Sequence, residues 1–179
     1  MTDQNPADAI VPDTKDWTWV LERRCPECDF EAGAVAGAAI PALVRGFAAR
    51  WAEVLVRPDV ARRPAPAVWS PLEYACHVRD MSRVFGARAE LMLAQDEPTF
   101  ESWDQDAAAI EARYGEQDPA TVAAELREAV EAAAATFADV TDEQWSRRGL
   151  RGDGAAFTVE TLGQYYAHDM AHHLWDVRG

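Results

Sequence analysis

The chain holds four histidines, His77, His168, His172 and His173, and three of them stand where they could share a metal ion. His168 and His172 are four residues apart. On an α-helix such residues lie ~40° apart around the axis and ~6 Å apart along it. Two imidazoles then project side by side and can grip one ion. His77 falls about two turns into a different helix, on its apolar stripe, from which it can face the pair across a bundle core. Neutral imidazole suits zinc, nickel, copper or iron. Three histidines leave a coordination position open for water or substrate, which is the pattern of a catalytic ion. His173 is turned by ~100° from His172 and reads as a packing or supporting residue. The alternative is that each histidine packs in the interior or sits at the surface, and spacing alone leaves both open.

Other reactive residues are read with the same two options. Cys25-Pro26-Glu27-Cys28 is a Cys-x-x-Cys, but no second pair follows, so a zinc ribbon is not expected. A tight turn ahead of the first helix is the favoured reading, with a zinc site using other ligands as the alternative. Cys76 reads as a small core residue. Asp80 could hydrogen-bond the His77 ring three residues before it, or be solvated, and Asp169 and Asp176 are similar cases. Tyr165 and Tyr166 read as core, with a pocket role as the alternative. Arg79 and Arg83 read as a solvated face. Arg88, on the apolar stripe, is the candidate for binding a substrate carboxylate.

Four helices must position these residues. Residues 1 to about 14 read as a leader, followed by a short apolar strap at Trp17 to Leu21, so that 1–39 stand apart from a bundle domain over 40–179. A first helix is expected from Ile40-Pro41 to about Val56. Ser70-Pro71-Leu72-Glu73 is a capping box, and opens a second helix running to about Gln95. Asp118-Pro119 opens a third, to about Ala138, and Thr158 caps a fourth, to about Val177. A helical turn is expected at 105–113, and Gly149, Gly152 and Gly154 read as a loop. No strand is expected, because Val and Ile form no alternating runs. The fold class is therefore all-α, a four-helix bundle. The segment from 96 to 117 is long enough for a crossover.

Composition narrows the function. The formal charge is -14, so contact with nucleic acid or an anionic membrane surface is not expected. No apolar run approaches the ~20 residues of a membrane span. The polar start is not a secretion signal, and three cysteines suit a reducing compartment, so the cytoplasm is the expected location. A small-molecule substrate is the expected partner, and a homodimer is plausible for a bundle of this size.

The run Trp69-Ser70-Pro71-Leu72-Glu73, with His77 and Asp80, resembles the second-helix motif of the DinB/YfiT-like family. His168-Asp169-Met170-Ala171-His172-His173-Leu174-Trp175-Asp176-Val177 resembles its last-helix motif. The resemblance covers residues 40 to 179. It implies a four-helix bundle of up-down-down-up topology and a divalent metal, zinc first with nickel or iron as alternatives, held at His77, His168 and His172. It also implies kinship with mycothiol-dependent maleylpyruvate isomerases and bacillithiol S-transferases, in which a metal activates a low-molecular-weight thiol. The isomerases usually carry Glu where this chain has His168. That departure favours a general thiol transferase, using mycothiol or a similar thiol, or an uncharacterised relative. A hydrolase using activated water and a non-catalytic metal-stabilised bundle are the other readings.

Overall fold

A computed structural model describes Ile10 and residues 16–179 of the chain; most of the expected leader lies outside these residues. Four long helices form the body: α1 (Ile40–Leu55), α2 (Pro71–Ala94), α4 (Pro119–Ala138) and α5 (Val159–Asp176), with a short α3 (Gln105–Glu111) in the connection after α2. The starts are fixed by side chains, as the sequence predicts. Glu73 N–H donates to Ser70 Oγ at 3.2 Å, and Ser70 N–H donates back to the Glu73 carboxylate at 2.8 Å, with Pro71 in the first turn. Asp118 accepts from Thr121 N–H at 2.8 Å, and Thr158 caps α5. Each cap satisfies amide groups that the first turn leaves without partners.

Side-chain pairings give the directions. Arg79 meets Glu125, Gly86 meets Ala133 and Glu90 meets Thr136, so α2 and α4 run parallel. Gly163 packs on Ile40 at one end of α1 while Val54 packs on Gly179 at the other, so α1 and α5 run parallel too. His77 meets His173 and Phe85 meets Tyr165, so α2 opposes α5. The order is up-down-down-up, and the core between the helices holds Trp51, Leu72, Met81, Leu126, Phe137 and Met170.

Parallel α2 and α4 require the chain to travel back along the bundle between them. Residues 95–118 do so against α2: Glu101 O accepts from Arg88, Trp103 stacks on His77, and Tyr114 O lies 3.8 Å from Cys76 Sγ. This connection also carries a strand, which the sequence reading did not expect. β1 (Thr99–Phe100) pairs in parallel with β2 (Arg148–Arg151), which pairs antiparallel with β3 (Ala156–Thr158). Strands of two to four residues are too short to show alternation, and the glycines taken for a loop are their hairpin. Gly154 turns it at φ 93°, and a Cβ at Gly149 would lie 2.8 Å from Met92 Cγ.

The strap is a 3₁₀ turn, Thr18–Leu21, that packs on α5 with Val20 buried. No described helix is long and apolar enough to cross a membrane.

Candidate functional site

α5 carries the histidines on two adjoining faces. His168 and His172 share one face, as their spacing predicts, with ring centroids 5.3 Å apart. That face meets the N-terminal segment. Cys25, Cys28, His168 and His172 each offer a ligand atom, and the four atoms lie within 4.8 Å of one another. Both ring nitrogens of His168 are buried without a hydrogen bond. Cys25 Sγ lies 3.7 Å from His172 Nδ1, and Glu27 approaches the other ring nitrogen of His172 at 3.3 Å. The Cys-x-x-Cys is a tight turn, as expected: Asp29 N–H donates to Cys25 O at 2.9 Å, and Asp29 adopts φ 59°. The turn is also half of a ligand set whose other half lies at the far end of the sequence.

The charges in this cluster are mutually adjusted. Burial opposes the charged form of His168, but Asp169, 3.6 Å from its Nδ1, and the two cysteine sulfurs outweigh it and push its pKa up to about 10. Burial likewise raises the Cys25 thiol. The N–H groups of Cys28 and Glu27, together with His168 and the Cys28 side chain, more than reverse that and hold it below its ordinary value. Burial, helped by the charges of His173 and His168, lowers the pKa of His172.

The second α5 face belongs to His173. The sequence reading turned it away from any site, yet its ring meets His77 edge-on with centroids 4.7 Å apart. His77 is fully buried between Trp69 and Trp103, and its Nδ1 has no hydrogen-bond partner. Burial first, then the charge of His173, holds its pKa well below the ordinary value, so His77 is neutral and able to bind a cation. His173 Nδ1 pairs with Asp176 at 2.9 Å. All four histidines line one cavity of about 700 Å³, with Asp169 and Tyr165 beside them on α5 and Trp69, Tyr74, Trp103 and Trp17 around them. His77 is not part of the cysteine-histidine cluster; its nearest α5 ring is that of His173.

Several expectations change. Asp80 does not reach His77: it is bonded by Arg79, Arg83 and the Tyr114 hydroxyl. Arg79, read as solvated, is 5% exposed and binds Asp80, Gln117 and Glu125. A helix-wheel reading misses this because its partners come from the crossover and from α4. Trp175 is 49% exposed and rests on the His172 ring. Tyr166 is core, its hydroxyl donating to Ser82 Oγ at 2.8 Å, while Tyr165 lines the cavity. Cys76 is the inert core thiol expected, pushed up to about 12 by burial. Arg88 lies over the Phe85 and Phe100 rings with Arg151 near it, and burial lowers its pKa to about 10.

Among solved structures the chain resembles YfiT from Bacillus subtilis, described as a probable metal-dependent hydrolase with an unusual four-helix bundle topology. The TM-score is 0.65 at 19% identity, over 93% of this chain and 89% of that one. No curated protein matches the chain. The sequence profile of the DinB superfamily matches residues 44–177, which takes in all four long helices except the first turn of α1, and the chain belongs to that superfamily.

Proposed function

We propose that this protein is a metal-dependent enzyme acting on a small molecule in the cavity between α2 and α5. One observation carries the reading: His77, buried with an unpartnered Nδ1, meets an α5 histidine in the wall of a cavity large enough for two small reactants. His77 is the α2 ligand. Asp169 and His173 are four residues apart on α5, the same spacing that places His168 beside His172, and both line the cavity with His77. We take His77, Asp169 and His173 as the set that holds the reactive ion; His77 with His168 and His172 is the competing set. Such an ion acidifies a bound thiol or water. Of the two nucleophiles we favour a low-molecular-weight thiol such as mycothiol, because about 700 Å³ admits a thiol and an electrophile together. Zinc suits the donors, with nickel or iron as alternatives. The reading places the enzyme in the cytoplasm, and a homodimer, if formed, is visible in solution mass.

The test is turnover by protein loaded with zinc, nickel or ferrous iron. One arm offers mycothiol and an activated aryl halide, the other an activated ester without thiol. Metal-dependent thioether formation, lowered at least about 100-fold in His77→Ala and in His173→Ala, supports the proposal. Ester cleavage without thiol transfers the reading to a hydrolase. Loss in His172→Ala with full activity in His173→Ala selects the competing ligand set. No metal-dependent turnover in either arm sinks the enzyme reading.

A further inference from the structure

We propose that Cys25, Cys28, His168 and His172 bind one zinc ion in a closed, four-ligand site that fastens the N-terminal segment to α5. The site is separate from the reactive ion and stands on its own observations.

Four ligand atoms within 4.8 Å of one another need only a small contraction to surround a zinc ion, whose bonds are ~2.3 Å to sulfur and ~2.0 Å to nitrogen. Two thiolates and two neutral imidazoles neutralise a dication, so the loaded site carries no net charge into a buried place. On loading, the thiol protons and the proton that makes His168 a cation leave to solvent, and the sulfur and ring-nitrogen lone pairs bind the ion. His168 Nε2 is buried without a hydrogen bond, a cost that a bound ion removes. Carboxylates already stand behind the histidines. Asp169 faces His168 Nδ1, and Glu27 faces His172 Nε2, which leaves His168 Nε2 and His172 Nδ1 for the ion. That arrangement fixes the ring that binds a metal. The turn itself is held by its backbone, with Asp29 N–H donating to Cys25 O and Cys25 N–H to Phe30 O, both at 2.9 Å. Mixed sulfur and nitrogen donors select zinc over the hard cations.

Four protein ligands leave no position for substrate, so the ion is structural. Its effect on the reaction is indirect. The segment it holds carries Trp17, whose ring packs on His172 at 4.9 Å and forms one wall of the cavity. The ion therefore sets that wall.

The test starts from protein purified without a histidine tag. Metal content by mass spectrometry and the spectrum after cobalt substitution are compared for the wild type, Cys25→Ser/Cys28→Ser and His77→Ala. The expected result is a tetrahedral cobalt spectrum with sulfur-to-metal charge transfer in the wild type and in His77→Ala, and its loss with one equivalent of metal in the double-serine variant. If that variant does not fold, X-ray absorption of the wild-type zinc protein decides: two sulfur and two nitrogen neighbours support the site. Zinc with no sulfur neighbours, a cobalt spectrum unchanged by the serine substitutions, or a Cys25–Cys28 disulfide in protein kept under thiol reductant would overturn it. Loss of activity in His77→Ala with the cobalt–sulfur bands intact separates this site from the reactive one.

Discussion

The Tyr114 hydroxyl donates to the Asp80 carboxylate at 2.7 Å, and this bond ties the crossover between α2 and α4 to the middle of α2. Arg79 grips both oxygens of the same carboxylate, with Nε and Nη2 at 2.8 and 3.0 Å, and reaches Glu125 on α4. A buried guanidinium with several acceptors stabilises little over an apolar substitute, but removing it strands the carboxylates. Arg79→Met is expected to lower unfolding free energy by about 2–3 kcal/mol, and Tyr114→Phe by about 1 kcal/mol. Urea titration measures both. Near-additive losses in the double variant would show that the two bonds do not act as one network.

Glu73 gives the protein an acid-sensitive joint. Burial raises its pKa, but Arg63 and the Ser70 N–H outweigh burial and hold it below the ordinary 4.5. The unfolded chain therefore takes up this proton first as pH falls. The stabilisation is fully present above 4.5 and is lost as pH drops through the lower folded-state value. Gln keeps the cap geometry and loses the charge. Glu73→Gln should cost about 1 kcal/mol at neutral pH, and should flatten the fall of stability below pH 4.5, as read by denaturation at a series of pH values.

At Gly163, α5 packs closely on α1 and α4. A Cβ there would lie 2.6 Å from Ile40 Cδ1 and 3.0 Å from Phe137 Cε1. Alanine normally favours a helix, so a surface site would gain stability. Here overpacking should win, and Gly163→Ala is expected to destabilise by about 1–3 kcal/mol. A rise in Tm would show that the α1–α5 contact is looser than these distances.

The cavity wall is acidic: Glu27, Asp104, Asp106, Asp169 and Asp176 line it, with no Lys or Arg among the described lining residues. Neutral or cationic substrates should be preferred to anionic ones. Asp104 also caps α3, accepting from Asp106 and Ala107 N–H, and Asn can keep that cap. Asp104→Asn/Asp106→Asn is expected to raise kcat/KM for an anionic substrate about threefold to tenfold at low salt, an effect that should shrink at high ionic strength. An equal change for neutral substrates would point to altered cavity shape rather than charge.

The helices were legible because their signals are local. Ser70 and Glu73, or Asp118 and Thr121, are three residues apart and write their caps into the sequence. The pairing of His168 with His172 was legible for the same reason. What escaped depends on residues far apart in the chain. Cys25 and His172 are separated by 147 positions, so a cysteine pair without a second pair nearby looked complete as a turn. The angle of His173 on its own helix does not show its role, because α2 approaches α5 from the side that His173 faces. Arg79 looked solvated on a helical wheel that contains neither Tyr114 nor Glu125. The small sheet left no alternation because its strands end before a period can repeat.

The crossover along α2 has a consequence for how such a protein can change. The parallel order of α2 and α4 obliges the chain to cover a distance of ~30 Å outside the helices. That path lies over the cavity, so Trp103 and Asp104 reach it from a segment that takes little part in the packing between the long helices. Connecting segments tolerate insertion and substitution better than packed helices do. The detour that the topology demands is therefore a replaceable part, in which selectivity for new reactants can evolve while the helices that carry the histidines stay as they are.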